Sequence, residues 1–134
     1  MIGVLVVTHG DIGTSLLASA NQILGAPQEQ AATLSVWRAD DIDDLVLRAR
    51  ELIEGLDAGD GVLVLTDIFG ATPGNVASRL LEDGRVEGVS GVSLPMLLRV
   101  LTGRNGSLAG AVKRALSGGA EGVVHMNTDR CLDA

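Results

Sequence analysis

The sequence predicts an α/β fold built on an open, mostly parallel, doubly wound sheet, and three observations carry that reading. Two runs, "VLVV" at 4–7 and "VLVL" at 62–65, are continuously apolar instead of alternating, as strands covered on both faces require. Each is followed by a segment with apolar residues at helical spacing. The 18 glycines in 134 residues fall mostly at joints between these segments, outside any low-complexity run. Strand and helix alternation returns the chain in one direction each time, which makes the strands parallel and puts helices on the sheet's faces. The length suits one domain over residues 1–134, able to bury about two thirds of its unfolded surface.

The elements follow in order. The first strand is predicted from Ile2 to Val7. The helix after it carries Ile12, Leu16, Leu17, Ala20, Ile23 and Leu24 on one face and stops at Gly25 and Pro27. "AATLSVW" at 31–37 is a less apolar strand suited to a sheet edge. Asp40 or Asp41 then caps a helix with a stripe of Ile42, Leu45, Val46, Ala49, Leu52, Ile53 and Leu56, its first turn rich in acids that the helix dipole favours. The third strand, 62–65, ends in Thr66 and Asp67. Thr72 is placed to cap the next helix with Pro73 at its first position, and Val76, Ala77, Leu80 and Leu81 form its apolar face. A short fourth strand lies within 86–94. "LPMLLRVL" at 94–101 is apolar nearly all round, which implies contacts on several sides, a subunit interface among them. A last helix is expected from Ser107 to Leu116, stopped by Gly118 and Gly119, with "GVVHM" at 122–126 as a further strand.

Composition narrows the function classes. A net charge of −7 opposes non-specific nucleic-acid binding, which depends on Lys and Arg neutralising phosphates. Trp37 and Phe69 are the only large aromatics, too few for a platform that stacks bases or a flavin. The single cysteine, Cys131, has no second thiol for a disulfide or metal motif and reads as an incidental tail residue. No apolar run reaches the length of a membrane span and the N-terminus lacks a signal-peptide pattern, so a cytoplasmic location without membrane insertion is expected. Asp40, Asp41, Asp43 and Asp44 are spread around a helix axis, so no metal site is expected there or elsewhere, and no cofactor. His125 is expected to pack or to line an interface.

Chemistry is expected where sheet order reverses, outside the carboxyl ends of the strands. His9 and Asp67 both stand at such ends, and a strand order of 2-1-3-4 makes their strands neighbours. A carboxylate on one imidazole nitrogen fixes the tautomer and leaves the other nitrogen free to attack. Loop amides from Gly10 onward and from Gly70, Ala71 and Thr72, at two helix starts, suit phosphate oxygens.

"THG" after the first strand, "TDIFGATPGN" after the third and "GVSLPMLLRVL" after the fourth resemble the enzyme IIA component of the mannose-type bacterial phosphotransferase system, over nearly the whole chain and at matching spacing. The resemblance implies that His9 is the phosphohistidine and Asp67 its hydrogen-bonding partner. It implies phosphoryl transfer from the phosphocarrier protein HPr to an enzyme IIB, in sugar uptake or in regulation. It further implies a homodimer that exchanges a C-terminal strand, and it favours Nε2 as the phosphorylated atom. The family's loop often reads Gly-Gly-Ser-Pro where this chain has Gly70, Ala71, Thr72 and Pro73, and Ser93 stands where an Asn is common. Thr72 keeps the hydroxyl.

The alternative is a receiver-like signalling domain phosphorylated on Asp67. Receivers also need an acidic pair after the first strand and a lysine after the fifth; here the first strand ends in Thr8 and His9, and the only lysine, Lys113, lies within a helical segment. An FMN binder would meet repulsion from Asp11, and a histidine phosphatase would need an arginine where Thr8 stands.

Overall fold

Complete burial of the two central strands organises the molecule. The computed structural model describes residues 1–129. In it β1 (Gly3–His9), β2 (Ala31–Val36), β3 (Val62–Thr66) and β4 (Val86–Ser90) form one parallel sheet in the order β2-β1-β3-β4. Every residue of β3 is buried, and so is β1 as far as Thr8. The expected order of 2-1-3-4 is the observed one, with β2 at an edge.

Alternation along each strand sorts side chains between two layers. Leu5, Val7, Val62 and Val64 pack with α2 (Ile42–Leu56) and α3 (Thr72–Ser78). Val4, Val6, Leu63 and Leu65 pack with α1 (Ile12–Leu24), α4 (Leu94–Leu101) and α5 (Leu108–Glu121). The sheet is therefore doubly wound. The all-round apolarity of α4 is accounted for within the chain: it packs on the sheet, on α1 and on α5. Ser93 caps it by accepting the Met96 N–H at 3.3 Å.

Four expectations are corrected. On α1 the expected Leu16, Leu17, Ala20 and Leu24 do pack inward, but Ile12 and Ile23 are exposed and Gly13 is buried, because the helix meets the sheet at Gly13, where a Cβ would lie 3.0 Å from Val6 and Thr8. Asp41 is the N-cap residue of α2 but its side chain makes no cap bond, and Asp40, the other candidate, accepts the Trp37 N–H and not an amide of the helix. α5 does not stop at Gly118 and Gly119 but runs to Glu121. Those glycines let α4 approach; a Cβ on Gly118 would stand 2.8 Å from Arg99 Cβ, and one on Gly119 2.8 Å from Met96 Cε.

The fourth correction concerns "GVVHM", which forms no strand. Gly122 closes α5 by donating to Gly118 O, residues 123–125 have no regular structure, and Met126 begins the short α6 (Met126–Asp129). Gly122 keeps helical backbone angles, the Val123 N–H bonds Ala120 O, and Val123, Val124 and Met126 are exposed and join no strand. Cys131 lies outside the described residues.

The amino ends of the strands carry the structural charges. Arg85, just before β4, bonds Glu54, Asp57 and Glu82, and buried Arg104 donates to the carbonyls of Ile2 and Gln30. The carboxyl ends are left to other uses. Gly118→Val is expected to lower stability by about 1–3 kcal/mol through overpacking between α4 and α5. Urea unfolding measures this, and an unchanged midpoint would mean the two helices have room to spare.

Candidate functional site

The site begins with strand lengths. β1 and β3 pair in parallel with Val7 opposite Thr66, but β1 continues to His9 while β3 ends at Thr66, so Asp67 leaves its strand beside the last residues of β1. One carboxylate oxygen, Asp67 Oδ2, accepts both the His9 backbone N–H at 3.0 Å and the ring Nδ1 at 2.8 Å. The other, Oδ1, accepts the Ile68 N–H at 3.0 Å. The Asp67 side chain is 13% exposed and that of His9 49%.

Burial pushes the Asp67 carboxyl up, and is the largest single influence. The His9 backbone N–H, the His9 ring and Asp67's own backbone N–H together outweigh it, and the group ends below its ordinary value. Asp67 is therefore ionised at neutral pH and only accepts hydrogen bonds. In a neutral ring the proton sits on Nδ1, and Nε2 carries the free lone pair.

Around this pair the two loops differ. Strand alternation turns Thr8 toward α1, where its buried Oγ1 accepts the Gly13 N–H at 2.7 Å. Asp11, the N-cap residue, makes no side-chain cap bond, so Thr8 does the capping from the strand. The Gly10 N–H, expected to face an anion, is occupied instead by Val36 O at 2.9 Å. Gly10 serves the turn through its positive φ of 49°. At the start of α1 the Gly13 amide is thus satisfied from inside the protein, while the first intrahelical bond, from Ser15 N to Asp11 O, leaves the Ile12 and Thr14 amides without helical partners. The capping role of Thr8 was missed; its signal is a hydroxyl at the first polar position of the strand, five residues before Gly13.

The loop after Asp67 is more open. Gly70 adopts φ 87°, Ala71 is the extended N-cap residue of α3, Thr72 its first residue and Pro73 its second. Thr72 is therefore one position inside the helix and not its cap. The first intrahelical bond runs from Asn75 N to Ala71 O, which leaves the amides of Ala71, Thr72 and Gly74 without helical partners, and Pro73 has none to offer. Gly74 is needed because a Cβ there would stand 2.9 Å from Ile68 O. Gly70 is exposed, Ala71 and Thr72 half-buried, and the apolar Ile68 and Phe69 are exposed beside Asp67. Among the described residues no group of three or more His, Cys, Asp or Glu side chains is placed to hold a metal ion, and no helix is long and apolar enough to cross a membrane.

Fold and site define an α/β protein that presents a carboxylate-oriented histidine at the carboxyl edge of a doubly wound sheet. Residues 3–117 match the EIIA-man family model, described as PTS system fructose IIA component, and the chain belongs to that family. It is 34% identical over 103 residues to the PTS system fructose-specific EIIA component of Bacillus subtilis (strain 168), covering 76% of this chain and 70% of that protein. It is 33% identical over 125 residues to the PTS system mannose-specific EIIAB component of Escherichia coli (strain K12), covering 91% of this chain but only 38% of the relative's length. The crystal structure of phosphotransferase system component EIIA from Streptococcus agalactiae superposes with a TM-score of 0.85 at 27% identity, over 96% of this chain and 99% of that one.

A carboxyl with a lowered folded value contributes stability that is complete above the unfolded value of about 3.9 and is lost as pH falls through the folded one. Urea unfolding followed from pH 6 downward is expected to show a steeper acid loss for the parent protein than for Asp67→Asn. Parallel acid limbs for the two would remove the His9 bonds from the stability of the fold.

Proposed function

We propose that this chain is the histidine phosphoryl carrier of a phosphotransferase system, with His9 as phosphoacceptor. The observation that carries this reading is the 2.8 Å contact between His9 Nδ1 and Asp67 Oδ2, which keeps the proton on Nδ1 and the Nε2 lone pair available. Nε2 attacks the phosphorus of a phosphorylated donor protein, HPr. A P–N bond forms at Nε2 as the bond to the donor breaks, and Nδ1 keeps its proton throughout. The ring gains positive character, which the ionised Asp67 stabilises across its hydrogen bond. The free amides at the start of α3, with Gly70, Ala71 and the Thr72 hydroxyl, steady the phosphoryl oxygens. Transfer to an enzyme IIB reverses the step, with the Nε2 lone pair restored as the P–N bond breaks. A relative named as an EIIAB component supports that acceptor. The setting is cytoplasmic, and the flow serves sugar uptake or regulation.

Incubation with enzyme I, HPr and phosphoenolpyruvate tests the reading. His9 is expected to gain the phosphoryl group, located by mass spectrometry under conditions that preserve P–N bonds. His9→Ala is expected to lose all uptake, and Asp67→Asn to slow it by about 10²-fold or more, the scale seen when an electrostatic stabiliser is removed. Undiminished uptake by His9→Ala would end the assignment.

We also infer a homodimer. Beyond an antiparallel bridge between Glu82 and Val86, the outer edge of β4 has no strand partner among the described residues, and a groove of about 390 Å³ beside it is lined by residues that include Phe69, Leu81, Val89, Val112 and Leu116. The exposed Val123, Val124 and Met126 supply apolar side chains suited to such a groove on a second copy. Sedimentation equilibrium is expected to give twice the chain mass, and truncation after Gly122 to give a monomer. A monomeric full chain at micromolar concentration would overturn the exchange.

A further inference from the structure

Trp37 has an unusual position for the chain's only tryptophan. It is 58% exposed, so burial of its large apolar surface does not explain it. One edge of its ring is nonetheless committed to a single place: Cζ3 and Cη2 stand 3.2 and 3.3 Å from the point where a Cβ on Gly10 would be. Gly10 directly follows His9 and holds a left-handed φ of 49°. Its N–H is bonded to Val36 O, the residue before Trp37. The end of β2 therefore grips Gly10 twice, by a backbone hydrogen bond and by an indole edge.

The grip is itself anchored. The Trp37 N–H donates to Asp40 Oδ2 at 2.8 Å, and the Asp40 N–H returns a bond to Trp37 O at 3.0 Å. On its other side His9 is held by its own N–H on Asp67 Oδ2. We propose that Trp37 is a positioning residue for His9, acting through Gly10, so that the imidazole keeps Nδ1 on Asp67 and Nε2 toward the incoming group. This inference rests on His9 being the phosphoacceptor. Without the indole the turn at Gly10 is pinned only by one hydrogen bond at an edge strand, and the ring gains freedom to leave the carboxylate. Any side chain on Gly10 would push against the indole as well as strain the turn.

The test compares Trp37→Ala and Trp37→Phe in the reconstituted transfer from phospho-HPr, with ¹⁵N imidazole spectra of His9 recorded on each. Trp37→Ala is expected to lower the maximal rate roughly tenfold, part of the loss a 1 Å misplacement brings, while the KM for phospho-HPr moves by less than about threefold. The spectra are expected to turn from the Nδ1–H tautomer to a mixture. Trp37→Phe, which keeps a ring edge on Gly10, is expected to restore most of both. Gly10→Ala, with Trp37 intact, is expected to reproduce the tautomer change, and the double variant to add little to it.

Far-UV circular dichroism guards against misfolding; should Trp37→Ala fail to fold, Trp37→Leu, which keeps apolar bulk but removes the ring edge, and Gly10→Ala carry the same comparison. An unchanged maximal rate with an unchanged tautomer would overturn the proposal. So would a loss confined to KM, which would make Trp37 a docking residue. Absence of label on His9 in the parent protein would instead refute the phosphoacceptor reading, and the tautomer spectra would still decide whether Trp37 positions the ring.

Discussion

A single carboxylate oxygen, Asp67 Oδ2, shared between the backbone and the ring of His9, is the constraint on which the site depends. It demands that β1 and β3 be neighbours, that they run parallel, and that β1 outlast β3. A charge-assisted hydrogen bond contributes about 1.5–3 kcal/mol, far too little to align two strands. Alignment comes from the core: β3 is buried throughout, and the layers on its two faces share no freedom to slide it. A slip of one residue would exchange Leu63 and Leu65 with Val62 and Val64 between differently shaped layers. The carboxylate then needs only to reach across a gap the sheet has already set.

The two loops at this edge divide the work. On the β1 side, Thr8 Oγ1 takes the Gly13 N–H, Val36 O takes the Gly10 N–H, and Asp67 takes the His9 N–H. Those backbone donors are spent on holding the histidine still. On the α3 side, Gly70 turns the chain, Pro73 occupies an early helical position, and the amides of Ala71, Thr72 and Gly74 have no partner within the helix. The histidine is thus held by bonds from inside the protein, while amides at the start of α3 stay unspent beside Asp67. Unspent amides at a helix start are what a group arriving with negative oxygens requires.

Much of this was legible because it rests on strong local patterns. Unalternating "VLVV" and "VLVL" exposed the central strands, and placing them side by side was enough to bring residue 9 to residue 67. What escaped was decided by packing between elements. Glycines at 118 and 119 look like a helix stop in a linear reading, yet α5 needs them to meet Arg99 and Met96 of α4. "GVVHM" has strand composition, but a strand exists only with a neighbour, and after the helical backbone at Gly122 these residues pair with none of the described strands. The Gly10 amide and the Thr72 cap were misassigned for a related reason: which N–H groups remain free is settled by partners such as Val36 O and by the extended backbone of Ala71, neither of which has a local sequence signature.

The exposure of His9 bears on what kind of substrate the site fits. Sites for free small molecules are concave and enclose most of the ligand. Here the groove of about 390 Å³ runs along β4 and is lined by Thr66 and Phe69, while His9 is not among its walls and presents about half of its side chain to solvent. Ile12 just after it, Trp37 at the end of β2, and Ile68 and Phe69 just after Asp67 are exposed as well. A free metabolite would find few walls at such a place. A protein that carries its phosphoryl group on its own surface brings the missing walls with it, excludes water when it docks, and leaves nothing bound once the group has passed. On the proposed function, a half-exposed histidine with Nδ1 on a carboxylate and exposed apolar neighbours therefore suits transfer between two protein surfaces better than capture of a free phosphate donor.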